Sequence, residues 1–175
     1  MYSATIRLTL LGFIGITTFL IPCLAIYYLF RAGYISSLHL DGLADRRLPY
    51  FVTTLLYSFA TYFFSIQLAS LAEIAPEIGV ILASVTISIA LVGLISLRWK
   101  ISAHATGMGG FLGALFGIVV KFNENHLIYP LLIGIVLGGM LLSARLQLNA
   151  HTPAQVGAGT ALGILISIIT VWLFV

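Results

Sequence analysis

The sequence has very few charged residues and almost no cysteine. Lys, Arg, Asp and Glu together make up only 7% of the 175 residues, whereas 61% are hydrophobic. A water-soluble domain of this size needs a more polar surface, so the composition excludes that class and indicates an integral membrane protein. The single cysteine, Cys23, excludes a disulfide framework and a cysteine metal site within this chain. Because Cys23 falls in an apolar segment, we expect it to be a small buried residue.

Long apolar runs account for most of the chain. A helix needs roughly 20 apolar residues to cross the hydrocarbon, so this length allows about six crossings and one membrane domain over residues 1–175. The first run, from Leu8 to about Phe30, is too long for the apolar region of a cleaved signal peptide, and we count it as a span. The predicted fold is an all-α bundle of six transmembrane helices, at residues 6–30, 50–71, 78–97, 105–120, 127–142 and 153–174.

The connections between these helices divide into two faces of unequal polarity. If the six spans alternate in direction, the connections that begin at Arg31, Arg98 and Ser143 share one face. They contain six of the eight Lys and Arg residues, so polar chemistry concentrates there. In the first of them, Ile35 and Leu38 alternate irregularly with polar neighbours, a pattern typical of a segment that lies on the membrane interface. A simple loop in contact with lipid is the alternative.

Glycines recur at four-residue spacing within three of the predicted helices. Small residues at this spacing let membrane helices approach each other closely. The pattern therefore predicts tight helix packing without any functional role. The glycines concerned are Gly109, Gly113 and Gly117, then Gly134 and Gly138, then Gly159 and Gly163.

Two helix starts on the polar face suit the binding of an anion. Ser102 is placed to cap the fourth span. Thr152, followed by Pro153 and by Gln155 three residues after the cap, forms a capping-box pattern. Such helix starts present free N–H groups to anions. The capping box also gives Gln155 a purely structural explanation, since its amide can bond the Thr152 backbone.

Arginines and histidines accompany these helix starts. Arg145 and His151 flank one connection, and His104 follows Ser102 on the same face. Arginine matches the oxygens of a phosphate, while one histidine can attack phosphorus and a second can protonate the leaving oxygen. This set of residues indicates phosphoryl transfer through a histidine. Arginines at helix ends also extend to lipid headgroups without any catalytic role, which is the alternative for an isolated one such as Arg98.

In spacing, these stretches resemble the membrane lipid phosphatase branch of the type 2 phosphatidic acid phosphatase superfamily, whose signature reads K-x6-R-P, P-S-G-H and S-R-x5-H-x3-D. The matching stretches here are "DRRLP" from Asp45, "ISAH" from Ile101 and "SARLQLNAHTPAQ" from Ser143. The resemblance implies a six-span phosphatase that uses no metal or cofactor. It implies the following roles: His151 as nucleophile, His104 as general acid, and Arg145, Ser102, one or both of Arg46 and Arg47, and in part Lys100 as holders of the phosphate.

The chain departs from the family pattern beside the nucleophile. Where the family has an aspartate, this chain has Gln155, which can accept a hydrogen bond from His151 but brings no negative charge. No lysine precedes Arg46 at the family's spacing. Asp41 and Asp45 are the carboxylates predicted on this face. They either substitute for the missing aspartate or form a solvated or salt-bridged pair beside the arginines.

Three functions are compatible with these residues. They are hydrolysis of a lipid phosphate or polyprenyl pyrophosphate, binding of lipid phosphate or of a membrane partner by a catalytically weakened relative, and transport. Membrane lipids are the expected surroundings, no nucleic-acid partner is indicated, and no oligomer is specified. With the three candidate phosphate-binding arginines at 46, 47 and 145 set aside, Lys and Arg number three against two and do not orient the chain. The resemblance alone implies a bacterial inner membrane with the site facing outward.

Overall fold

A computed structural model describes residues 4–40, 42–67 and 76–175, which form helices and no strand. Five of the helices in the described residues are long and apolar enough to cross a membrane, in agreement with the predicted all-α membrane bundle. In chain order the helices are α1 (Ala4–Arg31, with a π-helical segment at Ile16–Leu20), α2 (Leu43–Tyr62, continued by π-helical Phe63–Gln67), α3 (Pro76–Ile95), α4 (Ala103–Phe122), α5 (Ile128–Gln147) and α6 (Pro153–Phe174).

The second predicted span starts in a different place. α2 begins at Leu43 instead of residue 50, so Arg46, Arg47 and Pro49 lie within its first turns and not in the preceding connection. Hydropathy marks the apolar part of a helix, whereas the helix itself extends into the polar region at the membrane surface. α2 is not among the five candidate spans. The sixth crossing stays a prediction, and residues 68–71 of that predicted span lie outside the described residues.

The fifth predicted span ends later than its hydropathy indicated. α5 runs past residue 142 to Gln147, so Arg145 lies in the last turn of a helix and not in a connection. As in α2, the additional helical residues include charged and polar ones, such as Arg145 and Gln147, that leave the apolar layer. Both corrections place predicted site residues on helix ends, which hold a side chain more firmly than a loop does.

α4 and α6 form the most closely packed pair of helices. A Cβ atom at Gly113 would lie 2.8 Å from the carbonyl oxygen of Ile164, and one at Gly159 would lie 2.6 Å from that of Ser102. A Cβ atom at Gly109 would collide with the backbone of α6. Any side chain at these positions would separate the two helices, so the predicted close packing is confirmed.

α5 packs on α4 through the second set of glycines. A Cβ atom at Gly134 would lie 2.8 Å from the ring of Phe111, and one at Gly138 would lie 3.0 Å from the Cγ atom of Met108. The glycines thus receive the larger side chains of α4. Close packing of this helix pair is also confirmed.

Cys23 is exposed on α1, so the expectation that it is buried is wrong. Most of α1 is exposed in the bundle. Lipid tails are as apolar as a protein interior, and an apolar segment of a membrane helix therefore does not have to face the protein.

Candidate functional site

The three connections of the polar face meet at the starts of α2, α4 and α6. Arg46, in the first turn of α2, is only 4% exposed. Its Nε donates to the carbonyl oxygen of Leu40 at 2.8 Å, and its Nη1 donates to that of Ile101 at 3.1 Å. The Ser102 N–H donates to the carbonyl oxygen of Gln155 at 3.3 Å. These bonds join the first connection to the second and the second to α6, which is the grouping that the sequence predicted.

The spacing between Arg145 and His151 follows from the way α5 ends. Asn149 adopts the left-handed conformation with a φ of 50°. The Ala150 N–H donates to the Arg145 carbonyl oxygen at 3.1 Å, and the Asn149 N–H donates to that of Leu146 at 3.0 Å. The two bonds form a Schellman motif, in which asparagine is accepted at the left-handed position. The chain reverses there, and Arg145 and His151 come to lie at the same corner of the bundle.

α6 begins with the predicted capping box. Thr152 Oγ1 accepts from the Gln155 N–H at 3.4 Å, and Gln155 Oε1 accepts from the Thr152 N–H at 3.1 Å. Pro153 follows the cap, where its fixed φ suits a helix start. The structural explanation of Gln155 is therefore confirmed. It is not the whole role of the side chain, because the same Oε1 lies 3.2 Å from Nδ1 of His151.

His151 is 7% exposed, and two oxygen atoms hold its Nδ1. The Lys100 carbonyl oxygen lies 3.1 Å from Nδ1, and Gln155 Oε1 lies 3.2 Å from it. Since both oxygens are acceptors, Nδ1 carries the hydrogen and Nε2 keeps its lone pair in the neutral ring. This is the tautomer that a histidine nucleophile acting through Nε2 requires.

The surroundings of His151 also favour its neutral form. Burial lowers the pKa of His151 below its ordinary value, and the hydrogen bonds to Gln155 and Lys100 oppose this effect. The positive charges of Arg46 and Arg145 lower the pKa further. At neutral pH the imidazole is therefore unprotonated at Nε2, and only that form is nucleophilic.

Two arginines and a second histidine accompany this imidazole. Arg46 and Arg145 lie within electrostatic range of both His151 and His104, which is exposed in the first turn of α4. The structure thus brings together four of the residues that the sequence selected: Arg46, His104, Arg145 and His151. We call this set the His–Arg cluster.

The His–Arg cluster carries positive charge that the described residues do not neutralise. In the described part of the chain neither guanidinium group pairs with a carboxylate. The buried Nε of Arg145 has no hydrogen-bond partner among those residues. Leaving a buried donor unsatisfied costs roughly 1–3 kcal/mol, and more for a charged group. An anion is the kind of ligand that would offset both the charge and this cost.

The other predicted phosphate ligands differ in burial and in their contacts. Ser102 is fully buried, and its Oγ caps α4 by accepting from the Ala105 N–H at 3.4 Å, so the predicted cap is confirmed. Its contact with a phosphate stays a prediction. Of the two adjacent arginines, Arg46 belongs to the cluster and is buried, whereas Arg47 is exposed. Lys100 is half-buried beside His151.

Asp45 does not take the place of the missing aspartate in this structure. Its carboxylate accepts a hydrogen bond from the Ser36 hydroxyl, within the first connection and the start of α2. Asp41 lies outside the described residues. Among the described residues, the partners of His151 Nδ1 are two neutral oxygen atoms.

Sequence reasoning missed two backbone carbonyls that position the cluster. Lys100 acts on His151 through its carbonyl oxygen, whereas the sequence suggested a role for its charge. Leu40, in the left-handed conformation with a φ of 51°, presents its carbonyl oxygen to Arg46. Residue type does not encode which carbonyl accepts a bond, so no motif contained this information. Asn149 is different, because asparagine after a helix is a recognised stop signal.

An open pocket of about 460 Å³ lies beside His151. Its walls include polar Lys100 and Gln155 and apolar Leu146 and Pro153, so they are of mixed polarity. The volume lies within the range of about 300–1,000 Å³ that is usual for small-ligand sites. The pocket makes His151 accessible to a small ligand from outside the bundle.

Comparisons of the chain with models of protein families, with curated proteins and with solved structures find no match.

Proposed function

We propose that the protein is an integral membrane phosphatase that hydrolyses a lipid-linked phosphate or pyrophosphate through a phosphohistidine at His151. The observation that supports this most is the hydrogen bonding of His151. Two acceptors hold Nδ1, at 3.1 and 3.2 Å, so that Nε2 keeps its lone pair, and two arginine side chains lie in electrostatic range of the ring. A neutral nucleophile beside positive charge is the arrangement needed to attack an anionic phosphate.

In the proposed reaction, Arg46 and Arg145 bind the phosphate oxygens, which they match in charge and geometry. Nε2 of His151 attacks phosphorus, the bond from phosphorus to the leaving oxygen breaks, and His104 gives that oxygen a proton. A water molecule then attacks the phosphorus of the phosphohistidine, and His104 takes up a proton from the water. Breaking of the phosphorus–nitrogen bond releases phosphate and restores His151.

The neutral side chain of Gln155 favours a second candidate function. Phosphorylation of His151 creates a positive ring, and neither Gln155 nor the Lys100 carbonyl brings a negative charge to stabilise it. A cluster that binds lipid phosphate without cleaving it has the same arginines and does not need this stabilisation. The two functions differ in turnover and not in binding.

Phosphate release by the purified protein in mixed micelles tests the proposal. The substrates are phosphatidate, phosphatidylglycerophosphate, a polyprenyl pyrophosphate and lipid A phosphate. We expect release from at least one of them, inhibition by vanadate, and a loss of about 10³-fold or more in His151→Ala, because a covalent nucleophile has no substitute. His126→Ala is the matched control, since that exposed histidine pairs with Glu124 on the opposite face.

Release that is unchanged in His151→Ala would contradict the phosphohistidine. If no substrate is hydrolysed, saturable binding of phosphatidate that is lost in Arg46→Gln would identify the second candidate function.

We further infer, from the family resemblance, that the His–Arg cluster faces outward from a bacterial inner membrane. Labelling of single cysteines tests this in a Cys23→Ala background, which removes the exposed native thiol. Leu148→Cys reports the cluster face, and Asn125→Cys reports the opposite face; both positions are exposed. We expect an impermeant maleimide to label intact cells at the first position only. Labelling at the second position only would place the cluster in the cytoplasm.

A further inference from the structure

A narrow apolar groove of about 440 Å³ runs between α3, α4 and α6, and Tyr50 of α2 contributes to its lining. Its α4 wall follows one face of the helix, at positions 103, 106, 107, 110, 111, 114, 115 and 118. With a rise of 1.5 Å per residue, this wall is about 22 Å long. The groove therefore extends along most of a membrane-spanning helix.

Most hydroxyl groups in the walls of the groove already donate a hydrogen bond to a backbone carbonyl. Ser84 donates to the Ile81 carbonyl oxygen at 2.8 Å, and Ser88 donates to the Ser84 carbonyl oxygen at 2.8 Å. Thr106 donates to the Ser102 carbonyl oxygen at 3.0 Å. These hydroxyl groups bond their own helices, so the groove presents mainly hydrocarbon. A water molecule needs two to four polar partners, which such walls do not supply.

One end of the groove is lined by chain neighbours of the His–Arg cluster. Ala103, at that end, lies between Ser102 and His104 in the chain, and Tyr50 follows Arg46 by one helical turn. A ligand that occupies both places needs an anionic end and a hydrocarbon end. We propose that the groove holds one hydrocarbon chain of a lipid phosphate whose headgroup binds at the His–Arg cluster. The inference rests on the proposed function for its headgroup and adds the site of the chain.

Gly107 keeps the groove open. It lines the groove, it is exposed, and a Cβ atom added there would meet nothing within 4 Å. The Cβ of a leucine at this position would therefore strike no neighbouring helix, and we expect the rest of its side chain to occupy part of the groove. Gly139 on α5 is the matched control, because it also has nothing within 4 Å and does not line the groove.

Photolabelling tests the site of the chain without requiring turnover. The probe is phosphatidate with a diazirine near the end of one acyl chain, present as a minor component of phosphatidylcholine nanodiscs that contain the full chain. We expect labelling of the α4 segment that saturates, that excess unlabelled phosphatidate removes, and that falls at least fivefold in Gly107→Leu but not in Gly139→Leu. Labelling of that segment that neither saturates nor changes in Gly107→Leu would overturn the groove.

Chain-length selectivity separates this inference from the proposed function. For a protein that releases phosphate, we expect Gly107→Leu to lower the ratio of kcat/KM for long-chain over short-chain phosphatidate at least tenfold. An unchanged ratio would overturn the groove and leave the phosphatase intact. If no phosphate is released, the phosphatase fails, and the photolabelling result alone decides whether the groove holds a chain.

Discussion

Replacing Gln155 by glutamate changes the charge beside His151 without changing the length of the side chain. Gln155 Oε1 lies 3.2 Å from His151 Nδ1 and 3.1 Å from the Thr152 backbone nitrogen. A carboxylate oxygen in the same place would accept both hydrogen bonds. It would also stand at the start of α6, where a negative charge is favourable. We therefore expect the variant to fold and to raise the pKa of His151.

The size of this change follows from the strength of the bond. A hydrogen bond to a charged group contributes about 1.5–3 kcal/mol and a neutral one about 0.5–1.5 kcal/mol, a difference of about 1–1.5 kcal/mol. We take this difference as the preference of the carboxylate for the charged over the neutral ring. Because one pKa unit corresponds to 1.36 kcal/mol, the pKa of His151 should rise by about one unit. NMR titration of protein with ¹³C-labelled histidine measures it, and His151→Asn identifies the signal among the four histidines. If the protein is a phosphatase, Gln155→Glu should also raise turnover, since the positive ring gains a counter-charge.

Gln147→Glu is the control for the titration. It makes the same chemical change at the end of α5, on the same face and without a hydrogen bond to His151. Its effect should be small, because the interaction of separated exposed charges is largely screened. A pKa of His151 that Gln155→Glu leaves unchanged or lowers would refute the hydrogen bond between the two side chains.

Further predictions concern stability in detergent, measured by thermal unfolding. Gly113→Ala should lower the free energy of unfolding by about 1–3 kcal/mol, because its Cβ would lie 2.8 Å from the Ile164 carbonyl oxygen. Gly139→Ala should leave that free energy unchanged. Equal loss in both would contradict the packing of α4 on α6. Asn149→Val should cost about 1–2 kcal/mol through its left-handed conformation, and Asn149→Gly should cost little. The pKa of His151 is lowered in the folded state, so protonation opposes folding. Stability should fall as pH drops below about 6.5, the unfolded value, and level off below the folded pKa. The slope should be smaller in His151→Asn, and an identical slope would refute the assignment.

Much of the fold could be predicted from the sequence because the bilayer imposes strong rules. Apolar length located the helices, and glycine spacing located the close contacts of α4 with α5 and α6. The ends of the helices were harder to predict. Arg46 and Arg145 are polar residues within helices that leave the apolar layer, and hydropathy does not mark where such a helix ends. Cys23 shows a related limit, since apolarity does not distinguish a lipid-facing residue from a buried one.

The candidate site was predictable where side chains define it. The capping box at Thr152 and the cap at Ser102 follow from residue type and spacing, and both are confirmed. The roles of the Lys100 and Leu40 carbonyls depend on backbone conformation far from any motif, and only the structure reveals them. Residue type suggested that Gln155 either caps its helix or supports His151. The structure shows one oxygen atom bonded to both groups.

His151 is the proposed acceptor of the phosphoryl group, and direct detection of phosphohistidine tests this role. The protein is mixed with a ³²P-labelled substrate, quenched in alkali within milliseconds to seconds, and digested. We predict acid-labile label on the peptide that contains His151, label that persists longer in His104→Ala, and no label in His151→Asn. Hydrolysis of the substrate without label on His151 at any time would contradict the account.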